Sequence, residues 1–373
     1  PLQQINKHLQ HTFMKSIYVF GTRGFPDIQG GVEKHCEYLY TELSDQYNIT
    51  VFRRKSYLPH IHLECFNKIH FIDLPSTRIK GLEPFIHSLL CTLYCLIKRP
   101  DIIHIHNIGP GMFTPLLKLF GLKVVLTYHS PNYEHKKWNY MARKILKFSE
   151  LLATHFASAI IFVNKKQMMR FNRIIQIKSS YIPNGVHIKP ALSDSEYIEQ
   201  LGLKPQEYIL CVGRITQEKG FDYLIDAFIE AQIPNLKLVI AGGIDHKSDY
   251  AKRLFQKAQQ YQIVMAGYTD GKNLQQLYSH ARLFILPSYN EGFPLVLLEA
   301  MSYRLPLLAS NIEANLLLRL KENNYFKVGD VSDLARCIKL KTSCDFKQEQ
   351  YQLGEYTWAN IGQQVQQIYR SLK

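Results

Sequence analysis

Ser288–Ser310, S-Y-N-E-G-F-P-L-V-L-L-E-A-M-S-Y-R-L-P-L-L-A-S, is the stretch that decides the fold. It follows the apolar run Leu283–Leu286, which predicts a buried strand closed by Pro287. Gly292 permits a tight turn, and Pro294 suits the first turn of a helix because its missing N–H is not needed there. The stretch therefore predicts a strand, a glycine turn and then an apolar helix.

Two glutamates add chemistry to this stretch. Glu299 lies inside the apolar helix, and Glu291 lies in the loop before it. An unpaired carboxylate among leucines costs on the order of 3–5 kcal/mol, so Glu299 requires a partner. The helix N-terminus beside these residues is also a ready site for an anion. The pattern predicts a site for a molecule with hydroxyls and phosphates, although a helix whose Glu299 pairs with a core arginine fits the spacing equally well.

The run E-G-F-P-L-V-L-L-E-A-M closely resembles the two-glutamate motif of retaining nucleotide-sugar glycosyltransferases of family four. The resemblance implies an α/β fold of the GT-B type, in which two Rossmann-like domains with doubly wound parallel sheets face a central cleft. It also implies that Glu299 accepts hydrogen bonds from the donor ribose and Glu291 from the sugar hydroxyls. The same resemblance assigns to donor binding Gly292, Phe293, Pro294 and Leu295.

Two departures from the family pattern follow the second glutamate. Family members usually carry a glycine before the proline of the last motif strand, whereas Ser302–Pro306 contains none. The loop Asn311–Asn315 is also atypical. Both departures concern loop shape and sugar preference more than the class of reaction.

Length and composition describe a globular protein. A chain of 373 residues can form two domains with their own cores, and it is 46% hydrophobic and 20% charged. The longest apolar run, Pro84–Ile97, is interrupted by His87, so no membrane span is predicted. The polar residues Pro1–His11 predict no secretory signal. Seven cysteines without regular spacing indicate reduced thiols and a cytoplasmic location.

Charge is distributed unevenly along the chain. Residues 1–185 carry 24 Lys and Arg against 11 Asp and Glu, whereas residues 186–373 carry 21 against 20. The first half therefore has a net charge of +13 and the second half of +1. A strongly basic half indicates an anionic partner, which could be nucleic acid, a membrane surface or an acidic substrate.

Strands and helices alternate, which is typical of parallel sheets covered on both faces. The first strand, Ser16–Phe20, leads into G-T-R-G-F-P-D-I-Q-G-G-V-E and a helix that ends near Leu43. Gly30 and Gly31 at the helix start would let backbone N–H groups approach a phosphate, although tight-turn geometry would also explain them. The whole pattern resembles the opening of bacterial exopolysaccharide and O-antigen glycosyltransferases of the same family.

Three histidines lie on or just after predicted strands. His104 and His106 share one face of Asp101–Asn107 and could bind zinc, but no third ligand has metal spacing, so we predict no metal site. His129 follows the strand Val124–Thr127 at its carboxyl end, where α/β sheets bind ligands, although a histidine there is often structural. The resemblance implies that the strand of His106 ends at the interdomain cleft and that His129 touches the donor sugar.

A long basic helix is predicted over Lys136–Ala157. It contains the cations Lys136, Lys137, Arg143, Lys144 and Lys147 beside the apolar residues Trp138, Ile145, Leu146 and Phe148. An ordinary amphipathic helix with a solvated face would explain this composition, and so would contact with an anionic membrane surface.

The second half begins with the strand Tyr208–Val212 and the sequence G-R-I-T-Q-E-K-G. Arg214 and Lys219 lie around a turn before a helix, and two cations with a helix N-terminus suit a diphosphate, although two surface charges would look the same. The match to the family's G-R-x-x-x-E-K-G favours the diphosphate. The resemblance adds to the donor site Gly213, Gly267 and Tyr268.

These predictions divide the chain into four parts. Residues 1–185 form an acceptor-side domain, residues 186–206 a linker, and residues 207–355 a domain that binds the nucleotide sugar. By resemblance, residues 356–373 form a terminal helix that crosses back to the first domain. Met14 looks like a natural start, so residues 1–13 are expected to be non-native or disordered.

The sequence predicts a retaining glycosyltransferase of bacterial surface polysaccharide biosynthesis. The predicted catalytic residues are Arg214, Lys219, Glu291 and His129. The donor is a nucleotide diphosphate-sugar, the acceptor a saccharide or lipid-linked saccharide, and the protein would contact the inner face of the cytoplasmic membrane without binding nucleic acid. No cofactor or essential metal is predicted, and no D-x-D triplet for a metal-bound diphosphate occurs in the sequence.

Two other classes remain open at this stage. A nucleotide-sugar epimerase of the same architecture would need no acceptor and would leave the basic first half unexplained. A non-catalytic protein that binds anionic surfaces would explain the charge but not the family pattern of cations and glutamates. Release of nucleotide only in the presence of acceptor distinguishes the three.

Overall fold

The computed structural model describes residues 14–58, 63–77, 82–131, 133, 139–172, 179–244, 248–343 and 345–372. These residues form two compact units. Unit 1 contains the described residues up to Asn184 together with those from Trp358 onward, and unit 2 is Gly185–Thr357. Within the described ranges, no helix combines the length and the apolar character needed to cross a membrane.

Unit 1 is built on an eight-stranded sheet. Its strands are β1 Ser16–Phe20, β2 Asn48–Arg54, β3 Cys65–Phe66, β4 Ile69–Leu74, β5 Ile102–His106, β6 Val124–Tyr128, β7 Ala159–Phe162 and β8 Ser179–Tyr181. They lie in the order β3-β4-β2-β1-β5-β6-β7-β8, and each neighbouring pair is parallel except β3 with β4. Its helices are Gly31–Leu43, Leu82–Lys98, Thr114–Leu119, Tyr140–Phe156, Lys165–Asn172 and Trp358–Ser371.

The centre of this sheet is buried on both faces. Every residue of β5 and of β6 is buried, which explains why these strands read as continuous apolar or histidine-containing runs. The helix Trp358–Ser371 completes the core with four buried side chains. They are Trp358, Ile361, Val365 and Tyr369, each at most 1% exposed.

Unit 2 is built on a six-stranded parallel sheet. Its strands are β9 Tyr208–Val212, β10 Lys237–Ala241, β11 Val264–Gly267, β12 Leu283–Leu286, β13 Leu307–Ser310 and β14 Tyr325–Phe326, in the order β11-β10-β9-β12-β13-β14. Its helices are Glu196–Gln200, Phe221–Ala231, Asp249–Gln260, Gly271–His280, Leu295–Ser302, Glu313–Leu316 and Val331–Thr342. Two α/β units with parallel sheets confirm the predicted fold class.

Residues 186–206, which the sequence suggests as a linker, lie within unit 2. The Val186 N–H donates to the Tyr356 carbonyl at 2.6 Å. The Tyr197 N–H donates to Gln276 Oε1 at 2.7 Å, and the neighbouring Ile198 is fully buried. Backbone bonds and a buried side chain hold this segment against the unit.

The helix Leu295–Ser302 ends in an unusual way. The Leu305 N–H donates to the Ala300 carbonyl at 3.2 Å, and the Arg304 N–H donates to the Met301 carbonyl at 3.0 Å. This bonding pattern is the Schellman motif, whose left-handed residue is usually glycine. Arg304 occupies that position with φ 58°. Arg304 therefore takes the left-handed conformation that glycine usually supplies at this position of the motif.

Candidate functional site

Lys219 and Glu291 form an ion pair in unit 2. Lys219 ends the short turn Gln217–Lys219 that follows β9, and Glu291 lies in the loop after β12. Lys219 Nζ is 2.5 Å from Glu291 Oε1, and the two side chains are 17% and 12% exposed. Ser288 Oγ donates to the same carboxylate oxygen at 2.6 Å. Two residues that the sequence assigns separately to the diphosphate and to the sugar are thus in direct contact.

This ion pair holds the Lys219 ammonium at the carboxyl ends of the strands of unit 2. An ammonium group has three donors, so Lys219 can bind Glu291 and an anion at the same time. The lysine stem packs against this loop, since a Cβ at Gly213 would lie 3.4 Å from Lys219 Cδ and Cε, an ordinary contact distance. Arg214 follows Gly213 in the same loop and is partly buried. The carboxyl end of β9 therefore carries two cations.

Glu299 is held by a tyrosine. Tyr278 Oη, from the helix Gly271–His280, donates to Glu299 Oε2 at 2.9 Å. Burial and then the charge of Glu299 raise the pKa of Tyr278 well above its usual value, so the phenol stays protonated and donates. Tyr303 stacks on Tyr278 with ring centroids 5.3 Å apart. The sequence predicts that Glu299 needs a partner, but it does not indicate that this partner is the phenol of Tyr278.

Glycines bring the ends of three neighbouring strands together. The Gly242 N–H donates to the Gly267 carbonyl at 2.7 Å, and the Gly213 N–H donates to the Ala241 carbonyl at 2.9 Å. A Cβ at Gly242 would overlap the Gly213 carbonyl, so only glycine fits there. Tyr268 follows at the same edge and is 43% exposed. Carboxyl ends of parallel strands are where α/β sheets bind ligands.

The sequence places Pro294 in the first turn of the helix Leu295–Ser302, whereas it occupies the N-cap position immediately before that helix. Pro294 caps this helix, and its carbonyl accepts from the Leu297 N–H at 3.1 Å. Phe293 is 5% exposed and lies 6.0 Å from the ring of Tyr356. Leu295 opens the helix and is partly buried, as is Gly292 in the preceding turn. The loop that carries Glu291 is therefore held in place by well-packed residues.

A carboxylate lies at the glycine turn of unit 1. Gly30 precedes the helix Gly31–Leu43, and a Cβ at Gly30 would collide with the Glu33 carboxylate. Glu33 Oε1 accepts from Arg23 Nε at 3.1 Å and from the Arg23 N–H at 3.2 Å. Burial raises the pKa of Glu33, but the charge and hydrogen bonds of Arg23 outweigh it, so the net shift is downward. Glu33 is an ionised residue that the prediction of a phosphate turn did not include.

Four histidines pack together in the core of unit 1, where His104, His106 and His129 are stacked and His35 meets His129 edge to face. The rings of His104 and His106 are 4.5 Å apart, those of His106 and His129 5.3 Å, and those of His35 and His129 4.8 Å. Each is at most 7% exposed. His104 uses both nitrogens, with Tyr369 Oη at 2.5 Å and Thr127 Oγ1 at 2.7 Å.

Burial keeps these histidines neutral. It lowers the pKa of His35 to about 4 and that of His104 to about 3, and the Asn184 hydrogen bond to His35 only partly opposes this. The pKa values of His106 and His129 also lie well below the usual value, first because of burial and then because of the neighbouring rings. Neutral imidazoles can accept hydrogen bonds or bind metal.

The basic helix of unit 1 starts later than the sequence suggests. It spans Tyr140–Phe156, and the Asn139 side chain caps it by accepting from the Ala142 N–H at 2.9 Å. Lys144 and Lys147 lie on its exposed surface. Three further residues that the sequence places in this helix, Lys136, Lys137 and Trp138, lie outside the described residues.

Comparisons with known proteins follow the same two-part division. The family model "Glycosyltransferase Family 4" matches residues 29–189, and "Glycosyl transferases group 1" matches residues 193–356. Sucrose-phosphate synthase from Thermosynechococcus elongatus has a TM-score of 0.81 at 22% identity, covering 96% of this chain and 99% of that one. The Anabaena protein HepE, solved with UDP-glucose, has a TM-score of 0.76 at 20% identity, covering 96% and 100%. Identities this low show the fold alone.

Curated relatives add sequence similarity. A UDP-Gal:alpha-D-GlcNAc-diphosphoundecaprenol alpha-1,3-galactosyltransferase of Escherichia coli is 30% identical over 61% of this chain and 62% of its own length. The amylovoran biosynthesis glycosyltransferase AmsD of Erwinia amylovora is 23% identical over 79% and 81%. The chain spans 59–62% of the length of three curated relatives it matches.

Fold, motif geometry and matched models define a glycosyltransferase of the two-unit α/β type. The chain belongs to glycosyltransferase family four, with the GT-B fold.

Proposed function

We propose that this protein transfers a sugar from a nucleotide diphosphate-sugar to a saccharide or lipid-linked saccharide acceptor, with retention of anomeric configuration. The observation that carries the proposal is the Lys219–Glu291 pair at the carboxyl edge of the second sheet, beside Arg214. Such an edge with fixed cations suits an anionic donor. The membership in family four supports the same chemistry.

Each side chain has a separate task in this reaction. Arg214 and Lys219 neutralise the charge that develops on the departing diphosphate, the main electrostatic demand of the step. Glu291 accepts hydrogen bonds from the sugar hydroxyls and positions Lys219. Glu299, oriented by Tyr278, accepts hydrogen bonds from the ribose. His129 donates or accepts at the sugar.

The transfer balances without a nucleophile from the protein. The bond from the anomeric carbon to the diphosphate oxygen breaks, and a bond from the same carbon to the acceptor oxygen forms on the same face of the sugar. The leaving phosphate takes the proton of the acceptor hydroxyl. Because Arg214 and Lys219 supply the positive charge, the reaction needs no metal ion, and turnover should survive a chelator.

The acceptor is proposed to be saccharide built on a lipid diphosphate in bacterial surface polysaccharide synthesis, at the inner face of the cytoplasmic membrane. Two relatives motivate this, since one is named for a diphosphoundecaprenol acceptor and one for amylovoran biosynthesis. The basic first half fits an anionic lipid surface. An epimerase would explain neither the charge nor a need for acceptor.

The test begins with the donor. A panel of nucleotide sugars is screened by thermal shift, and the best one is assayed for nucleotide release with and without saccharide acceptors. Lys219→Ala should lower acceptor-dependent turnover by a factor on the order of 100 or more while the fold persists. The control is Lys327→Ala, which breaks an exposed ion pair with Asp330 and should leave turnover unchanged.

Two results would overturn the assignment. Near-normal turnover in a folded Lys219→Ala protein would remove the diphosphate role of Lys219. Interconversion of nucleotide sugars without any acceptor would identify an epimerase instead.

A further inference from the structure

Three buried histidines of unit 1 bring ring nitrogens together. One nitrogen each of His35, His106 and His129 lies within 4.8 Å of the other two. The three residues come from separate elements, since His35 is in the helix Gly31–Leu43, His106 ends β5 and His129 follows β6. The sequence paired His106 with His104 as a possible metal site, whereas the fold brings His106 together with His129 and with His35, which lies 71 residues before His106 in the chain.

The hydrogen bond of His35 determines which of its nitrogens is available. Nδ1 of His35 lies 2.8 Å from Asn184 Oδ1, and an amide oxygen only accepts, so Nδ1 carries the proton. The lone pair is therefore on Nε2. Among the described residues, this buried Nε2 has no hydrogen-bond partner. A buried acceptor without a partner loses the hydrogen bonds it makes in water, so a group that binds this nitrogen would stabilise the fold.

His106 differs from His35, because both of its ring nitrogens have hydrogen-bond partners. Its Nε2 lies 2.6 Å from Tyr40 Oη, and its Nδ1 lies 3.0 Å from Nε2 of His129. Histidines that bind metal usually donate their second N–H to an oxygen, which fixes the ring and its tautomer. Asn184 serves His35 in this way, and Tyr40 can serve His106.

We propose that His35, His106 and His129 form a binding site for a divalent transition-metal ion of the zinc class. Neutral imidazole suits zinc, and three histidines leave one tetrahedral position for water or another ligand. Zn–N distances of about 2.0–2.1 Å place tetrahedral ligands about 3.3 Å apart, so the widest separation of 4.8 Å would shorten by about 1.5 Å. The His106 and His129 nitrogens share a hydrogen bond of 3.0 Å without an ion, which is already close to that separation, and a bound ion would displace the proton between them.

A purely structural stack of histidines accounts for His104 but not for His35. Both nitrogens of His104 are occupied by hydroxyl groups, and it is not one of the three converging residues. His104 is therefore the matched control, since it is buried in the same stack. The proposed function also places His129 at the donor sugar, so the two proposals share this residue, and the experiment therefore measures metal binding and not turnover.

The experiment uses the full chain, stripped with a chelator and dialysed. Zn²⁺ is titrated by calorimetry, and Co²⁺ is added separately to record its visible absorption. We expect one tight site per chain, a tetrahedral Co²⁺ spectrum and a higher thermal midpoint with Zn²⁺. His35→Gln should weaken binding at least tenfold, whereas His104→Gln should leave it unchanged. Asn184→Ala should weaken it roughly 10–100-fold through loss of the support to His35.

Several outcomes would overturn the proposal. The wild-type protein could show no saturable binding, or only an octahedral Co²⁺ spectrum typical of weak surface sites. Zinc could bind as tightly to folded His35→Gln as to wild type. If the variants do not fold, the Co²⁺ spectrum of the wild-type protein decides alone.

Discussion

The left-handed backbone conformation of Arg304 costs free energy that glycine would not lose there. A non-glycine residue in the left-handed region costs roughly 1–2 kcal/mol, whereas glycine adopts it freely but loses about 0.5–1 kcal/mol through the flexibility of the unfolded chain. The Arg304 side chain is exposed, so its removal sacrifices little packing. Arg304→Gly should therefore raise the free energy of unfolding by about 0.5–1 kcal/mol.

Urea unfolding of the wild-type and variant proteins measures this effect. Lys321→Gly is the matched control, because Lys321 is also exposed and basic but has φ −60°. The control should lower the free energy of unfolding, since its backbone does not need glycine. A fall in stability for both variants would show that the Arg304 conformation is not strained.

Single residues also show what the sequence could and could not predict. Glu299 was predicted to need a partner because a carboxylate among leucines demands one. Its partner Tyr278 was not predictable, since no periodicity links the two helices that carry them. The sequence predicts both Lys219 and Glu291 as site residues. Their contact was not predictable, because it depends on two loops that meet at the carboxyl ends of the strands. Their roles in the reaction stay predictions.

At the scale of elements, apolar runs were the most predictable feature. Tyr208–Val212 and Leu283–Leu286 are strands with the bounds expected, because strands buried in a parallel sheet are continuously apolar. Predictions of shorter elements were less accurate where side-chain hydrogen bonds compete with the hydrogen bonds between strands. The sequence also predicts a last strand over Asn324–Val328, but the strand is limited to Tyr325–Phe326, since a short turn precedes it and the Val328 N–H donates to Asn311 Oδ1 at 3.0 Å.

The helix Tyr140–Phe156 presents an exposed apolar stripe beside its lysines. The stripe consists of Met141, Ile145, Phe148 and Leu151, each between 51% and 64% exposed. Positions spaced by three and four residues lie on one helix face, and apolar residues flanked by cations suit an anionic bilayer surface. Each lysine near such a surface contributes about 1 kcal/mol, and this falls as salt rises.

We therefore expect the protein to sediment with anionic liposomes at low salt and not with neutral ones. Changing Lys136, Lys137, Lys144 and Lys147 together to Ser should reduce that binding. The control removes the same charge from exposed lysines of unit 2 and should leave binding largely intact; its sites are Lys204, Lys321, Lys327 and Lys339. Equal, negligible binding to both kinds of liposome would leave the stripe as an ordinary helix surface.

At the scale of the whole molecule, the two units differ in whether one continuous segment of the chain forms them. Unit 2 is a single segment with its own core, whereas unit 1 needs residues on both sides of it in the chain. Burial of one large apolar side chain stabilises by roughly 1.5–3 kcal/mol, so the four core residues of Trp358–Ser371 contribute an amount comparable to a whole domain's stability. Residues 185–357 should therefore fold alone, and residues 14–184 should not.

Circular dichroism on both fragments measures this difference. The 185–357 fragment should unfold cooperatively on heating, and the 14–184 fragment should do so only after a peptide of residues 358–372 is added. Peptide in which Trp358 and Tyr369 are alanine is the control and should not restore folding. A cooperative transition in 14–184 without peptide would contradict the expectation.

The split of unit 1 also sets an order of events on the ribosome. Domains usually fold from the N-terminus as the chain emerges, but here the first domain must wait until its closing helix has been made. The 173 residues of unit 2 lie between the two parts, which at about 5–20 residues per second is a delay of roughly 9–35 s. During that interval unit 2 can finish folding while the nascent first domain still exposes the groove for Trp358 and Tyr369. Chaperones that bind exposed apolar surface would therefore have access to the first domain for longer during synthesis than to unit 2.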